Sequence, residues 1–137
     1  MLKINKRFLI ALLTFTLPFG CVGCSNGGSA DDSATYEQIS GAEAKALMDS
    51  ESGYIIIDAR TQEEYDQGHI PGAILIPEYE IADRAEKELP DKDQLILVYC
   101  RSGRRSKIAA EELVKLGYTN VKEFGGIIDW EYETVRE

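Results

Sequence analysis

Three apolar stretches lack the alternation of a half-exposed strand: Tyr-Ile-Ile-Ile at 54–57, Ala-Ile-Leu-Ile at 73–76 and Leu-Ile-Leu-Val-Tyr at 95–99. Such runs read as strands covered on both faces, as in a parallel sheet between helix layers. Pro71-Gly72 and Pro77 bound the middle one. Residues 36–39 and 121–124 add two further strands. Between them the period changes. Ser40 with Glu43 forms a capping box that opens a helix to about Met48, and Thr61 with Glu64 opens a short one that ends before Gly68. Ile81, Ala85 and Leu89 fall on one face of a helix over 79–88. After the 95–99 strand, Ser106 is placed to cap a helix bearing Ala109, Leu113 and Leu116, with Ala110 and Val114 beside them, and Gly117 takes the C′ position. Gly125-Gly126 reads as a turn and residues 127–135 as a last helix. Strands alternating with helices predict one α/β domain, a three-layer arrangement with a five-stranded, mostly parallel sheet flanked by helices. In such sheets ligands sit at the carboxyl ends of the strands, where Asp58 and Cys100 fall.

The first 35 residues read differently. Lys3, Lys6 and Arg7 precede an apolar run over 8–19, which is 12 residues long, short for a membrane span and laid out as a secretory signal. Gly20-Cys21-Val22-Gly23-Cys24-Ser25 follows, then a polar stretch rich in Gly, Ser, Asn and Asp. This resembles a bacterial lipoprotein cleavage site, although neither cysteine has the usual Leu three positions before it: Cys21 has Pro18 there and Cys24 has Cys21. Cys24 is favoured as the lipidated residue, because Val22-Gly23 fits the nearer positions and the tether starts directly after it. A redox reading of Cys21 and Cys24 would need a strand before them, and none is present. The expected organisation is a lipoprotein signal peptide over 1–23, a flexible tether over 24–35 and a folded domain over 36–137, held on the outer side of a cell membrane.

Cleavage at that point changes the charge and the thiol count. The signal holds three of the 15 Lys and Arg and none of the 24 Asp and Glu, which leaves a formal charge of −12 on the rest. A surface of that sign excludes nucleic acid as a natural partner. Cys100 becomes the single free thiol of an exported protein, a position that favours reactivity over structure. One histidine and one thiol do not assemble a metal site, and no cofactor is called for.

Cys100 ends an apolar strand and opens the loop Arg101-Ser102-Gly103-Arg104-Arg105-Ser106, with three guanidinium groups within five residues of it. Free cysteine has a pKa of about 8.5, which falls near arginines and helix N-termini. Gly103 lets the loop curl so that successive N–H groups point inward and form an anion-binding nest. The loop suits a cysteine that handles a small anion. A buried structural cysteine beside a solvated basic turn is the plainer alternative.

Four segments in this order resemble the single-domain rhodanese (sulfurtransferase) family: Ile57-Asp58-Ala59-Arg60, Gly68-His69-Ile70-Pro71-Gly72-Ala73, Tyr99 through Ser106, and Gly125-Gly126 with Trp130. Related phosphatases use Cys-x5-Arg, a loop wide enough for phosphate, whereas here Arg105 closes a Cys-x4-Arg loop. The resemblance implies a sulfurtransferase that carries sulfur as a Cys100 persulfide, from a small anionic donor such as thiosulfate to a thiol or cyanide. Ser102 and Gly103 would supply loop amides. Arg101 and Arg104 would attract the donor, and Arg105 either does the same or braces the loop against an acidic neighbour. Asp58 and Arg60 would form ion pairs near the pocket rim and shape it. His69 sits in a Gly-His-Ile-Pro-Gly turn and reads as structural, since a low-pKa thiolate needs no base. Trp130 reads as core packing. The competing functions are a non-catalytic binding module of the same fold and a cysteine phosphatase or arsenate-type reductase.

Overall fold

The computed structural model describes residues 35–136; the predicted leader, the tether up to residue 34, Cys21 and Cys24 lie outside them. Five strands form one sheet: β1 (Glu37–Gln38), β2 (Ile55–Asp58), β3 (Ala73–Leu75), β4 (Ile96–Cys100) and β5 (Val121–Gly126). Their spatial order is β1-β5-β4-β2-β3, and every neighbouring pair is parallel. Four α-helices connect them: α1 (Gly41–Ser50), α2 (Gln62–Asp66), α3 (Ile81–Glu88) and α4 (Arg104–Lys115). The expected three-layer α/β architecture is present.

Alternate residues of a strand face opposite sides of the sheet, and both sides of β4 are covered. Val98 and Cys100 pack with Ile57 of β2, Ile81 and Ala85 of α3, and Ala109 and Leu113 of α4. Leu97 and Tyr99 pack on the other side with Ile56, Ala44 of α1, Ile70 and Phe124. Burial on both faces is why the sequence shows unbroken apolar runs here. Both predicted capping boxes form: Ser40 and Thr61 each accept from the N–H three residues on, and Glu43 and Glu64 return the bond.

Three local expectations are corrected. Ser106 does not cap α4: the helix starts at Arg104 with Gly103 at the N-cap, and the Ser106 hydroxyl is turned into the interior. Gly125-Gly126 is not a turn; β5 runs through both glycines. Cys100 pairs with Gly126 whereas Val98 pairs with Glu123, so β5 carries one extra residue there, a bulge that bends it beside the Cys100 loop. The last helix, predicted over 127–135, is a single 3-10 turn over Ile127–Asp129. The Trp130 indole N–H donates to Glu133 O, and Val135 then pairs antiparallel with His69, an attachment that a helix would forgo.

Candidate active site

The parallel sheet delivers Cys100 at the carboxyl end of a central strand, and the chain must leave it at once to enter α4. Gly103 makes that possible with a φ of +101°, a region that side chains disfavour. The turn closes on the sulfur: Gly103 N–H lies 3.0 Å from Cys100 Sγ and Ser106 Oγ lies 3.4 Å from it. Burial pushes the thiol pKa up, yet the Ser106 hydroxyl and the N–H groups of Ser106, Gly103 and Ser102 outweigh it and hold the pKa below the ordinary cysteine value. The donors that stabilise the anion are therefore the backbone and a hydroxyl, in the form of the nest that the sequence suggested. Cys100 itself is 1% exposed and is the free cysteine among the described residues.

Gly126 fits the loop against β5. A Cβ there would stand 2.0 Å from Arg101 O and 2.6 Å from Ser102 Cα, so only glycine lets the strand pass this close. Ile128 N–H then bonds Arg101 O at 3.2 Å and fastens the far side.

The three loop arginines are used differently. Arg101 and Arg104 are exposed. Arg105 forms a two-pronged pair with Glu64 of α2, at 2.7 and 2.8 Å. Arg105 thus has the acidic neighbour that the bracing alternative called for. The Arg105 bond holds the Glu64 carboxyl down to a pKa of about 2 against the effect of burial, with the Thr61 N–H assisting.

A cavity of about 390 Å³ opens beside the loop, with Arg60, Glu64, Gly68, Arg101, Ile128 and Trp130 in its wall. Of the three loop arginines, Arg101 alone lines it. Trp130 has two surfaces at work, one lining this cavity and one packed against Phe124 with ring centres 5.6 Å apart. Asp58 is fully buried, so its carboxylate lies beneath the cavity wall rather than at the rim. It accepts from Arg60 Nε at 2.9 Å, from Arg60 Nη2 at 2.7 Å and from the Tyr99 hydroxyl at 2.6 Å. Arg60 Nη2 also bonds Gly68 O at 2.7 Å, and the Tyr99 oxygen accepts Ile70 N–H at 3.1 Å. Burial, reinforced by the Asp58 carboxylate, raises the Tyr99 pKa and keeps it a donor. His69 is buried, its ring stacked on Tyr65 at 3.7 Å and its Nδ1 3.0 Å from Tyr65 O.

Two residues at this site escape the sequence reading. Ser106 looks like a cap in sequence but binds the sulfur. Glu123, 3% exposed, receives the Ser106 hydroxyl at 2.6 Å and Gly125 N–H at 2.8 Å. The available signal is period two: Val121 is buried against the α3–α4 layer, and Glu123 follows it at the spacing that keeps the same face.

A cysteine at the end of a central parallel strand, in a loop that closes on its own sulfur before a helix, is the feature that defines the class of this domain. The Rhodanese-like domain family matches residues 40–133, and the chain belongs to it. Over 73 residues it is 45% identical to the thiosulfate sulfurtransferase PspE of Escherichia coli, covering 53% of this chain and 70% of that protein. It is 36% identical to the putative sulfur carrier protein YrkF of Bacillus subtilis over 77% of this chain, and spans 57% of that relative's length. Among solved structures, a rhodanese with anions from E. coli superposes with a TM-score of 0.58 at 40% identity, over 61% of this chain and 99% of that one.

Proposed function

We propose that this protein is an exported, lipid-anchored sulfurtransferase that moves sulfane sulfur from an anionic donor such as thiosulfate to a thiophilic acceptor through a persulfide on Cys100. The observation that carries the reading is the Gly103 N–H set 3.0 Å from Cys100 Sγ within an amide-lined loop. The Cys100 thiolate attacks the outer sulfur of thiosulfate; the sulfur–sulfur bond of the donor breaks and sulfite leaves with its electron pair. The outer sulfur of the persulfide then carries the negative charge, for which the loop amides offer fixed donors. A thiol or cyanide attacks that sulfur, takes it, and returns Cys100 as a thiolate, which gives ping-pong kinetics. Identity to a thiosulfate sulfurtransferase supports the chemistry. The basic and apolar leader with Cys24 before a polar tether supports export and anchoring.

The test is intact mass spectrometry after incubation with thiosulfate. One added sulfur atom, located on Cys100, is expected. Cys100→Ser should abolish thiosulfate:cyanide turnover and leave the far-UV circular dichroism unchanged. An unaltered mass with reduced Cys100, or turnover near the wild-type rate in Cys100→Ser, would remove this reading.

A further inference from the structure

The Ser106 hydroxyl has one hydrogen and four acceptors around it. Glu123 Oε1 is at 2.6 Å, Gly103 O at 3.1 Å, Gly125 O at 3.3 Å and Cys100 Sγ at 3.4 Å. The nearest acceptor is also a carboxylate, so Glu123 competes with the sulfur for the hydroxyl proton that lowers the thiol pKa. Whenever Glu123 holds that proton, the sulfur faces a lone pair of the same oxygen. Cys100, Ser106 and Glu123 are all buried, so water does not substitute for the missing donor at low cost.

Among the described residues no salt bridge reaches Glu123. Its side-chain partners are Ser106 from α4 and Gly125 N–H from its own strand. Arg105 of α4 is engaged by Glu64, and Lys122 of β5 pairs with Glu37 of β1. Cys100 of β4 is the titratable group on the other side of Ser106. Two groups that can each be an anion therefore flank one hydroxyl.

We infer that Glu123 is a positioning residue for the nucleophile, competing with Cys100 for the Ser106 proton so that its charge opposes formation of the thiolate. In one arrangement the carboxylate accepts the Ser106 O–H and the thiol S–H points at Ser106 Oγ. In the other, the Cys100 proton has left to bulk water and the Ser106 O–H turns to the thiolate, leaving Glu123 Oε1 with Gly125 N–H. One S–H bond is broken, water takes the proton, and no electron leaves. The consequence is for reactivity. Nucleophilicity falls with thiol pKa, and an attacking thiol works best with a pKa near the ambient pH. The loop amides lower that pKa; Glu123 opposes them and keeps the sulfur a strong nucleophile. The inference rests on Cys100 being the reacting thiol.

The test is an NMR titration of the full chain, 13C-labelled at Cys Cβ, with Cys100→Ser assigning the Cys100 signal. Glutamine keeps an oxygen acceptor for Ser106 and Gly125 but removes the charge. In Glu123→Gln the Cys100 midpoint should fall by about one pH unit, roughly a tenfold gain in thiolate on the flank of the curve. A fall of less than about half a unit, or a rise, overturns the inference. Ser106→Ala should at least halve the shift that Glu123→Gln causes, and an undiminished shift overturns the part assigned to Ser106. Should Glu123→Gln fold poorly, Glu123→Asn is read in the same way, and a fall of less than about half a unit overturns the inference. A protein that titrates this way yet takes no sulfur from thiosulfate would contradict the proposed activity and leave the coupling intact.

Discussion

Arg105 and Glu64 lie 41 residues apart in sequence and meet through two parallel hydrogen bonds, at 2.7 and 2.8 Å. Through them the helix that follows Cys100 is fixed to the short helix that follows β2. Replacing either partner with Ala should cost about 1–2 kcal/mol, more than a fully exposed pair contributes, because both side chains are largely covered. The Glu64 pKa is depressed in the folded state, so its contribution is complete above the unfolded value of about 4.3 and fades as pH falls towards about 2. Denaturant unfolding of wild type and Glu64→Gln at neutral pH and near pH 2.5 should show the difference shrinking. A constant difference would mean that the pair contributes nothing through charge.

Arg101 and Arg104 are exposed and offer charge without fixed geometry. Arg101→Ala, and Arg104→Ala to a lesser degree because it does not line the cavity, should raise the KM for thiosulfate roughly three- to tenfold with a smaller effect on the sulfur-transfer rate. Salt should narrow the gap, since exposed charges are screened within about 8 Å at physiological ionic strength. Unchanged saturation in the double variant would rule out donor attraction.

Gly126→Ala tests the packing of β5 against the loop. Its Cβ would overlap the Arg101 carbonyl, so either strand or loop must shift. We expect a loss of about 1–3 kcal/mol in stability, together with a fall in persulfide formation that exceeds the loss of folded protein. Full activity per folded molecule would show that the loop tolerates displacement.

Export and anchoring are tested at the two leader cysteines. Cys24→Ala should release the protein from membranes or leave an unprocessed precursor, and Cys21→Ala should still allow lipid labelling. Several acyl chains at one terminus make a stable anchor where one is marginal. A tether of about ten flexible residues would keep the domain roughly 15–20 Å from the bilayer. Lipid labelling that survives Cys24→Ala but not Cys21→Ala would move the processing site to Cys21.

What the sequence disclosed depended on how local the cause was. The Ser40–Glu43 and Thr61–Glu64 caps were readable because each is complete within four residues. The strands were readable because burial on two faces leaves an apolar run. Ser106 misled because a serine at a helix start has two uses, and choosing between them requires knowing that Cys100 Sγ and Glu123 lie beneath it. The 3-10 turn at Ile127–Asp129 was overread as a helix because its continuation is decided by His69, far away in sequence. Arg105 was left with two roles for the same reason: its partner sits on another helix.

Tyr99 and Cys100 are consecutive, so they point to opposite sides of the sheet, and each is tied down on its own side. Tyr99 holds Asp58 and Ile70, while Cys100 receives Gly103. Loosening the peptide between them would strain a buried charge cluster on one side and an anion nest on the other. Backbone amides at this step should therefore be among the slowest in the chain to exchange with deuterium, opening only when the whole sheet does. Cys100 would then have no breathing motion of its own, and slow exchange at this step is the measurement that checks it.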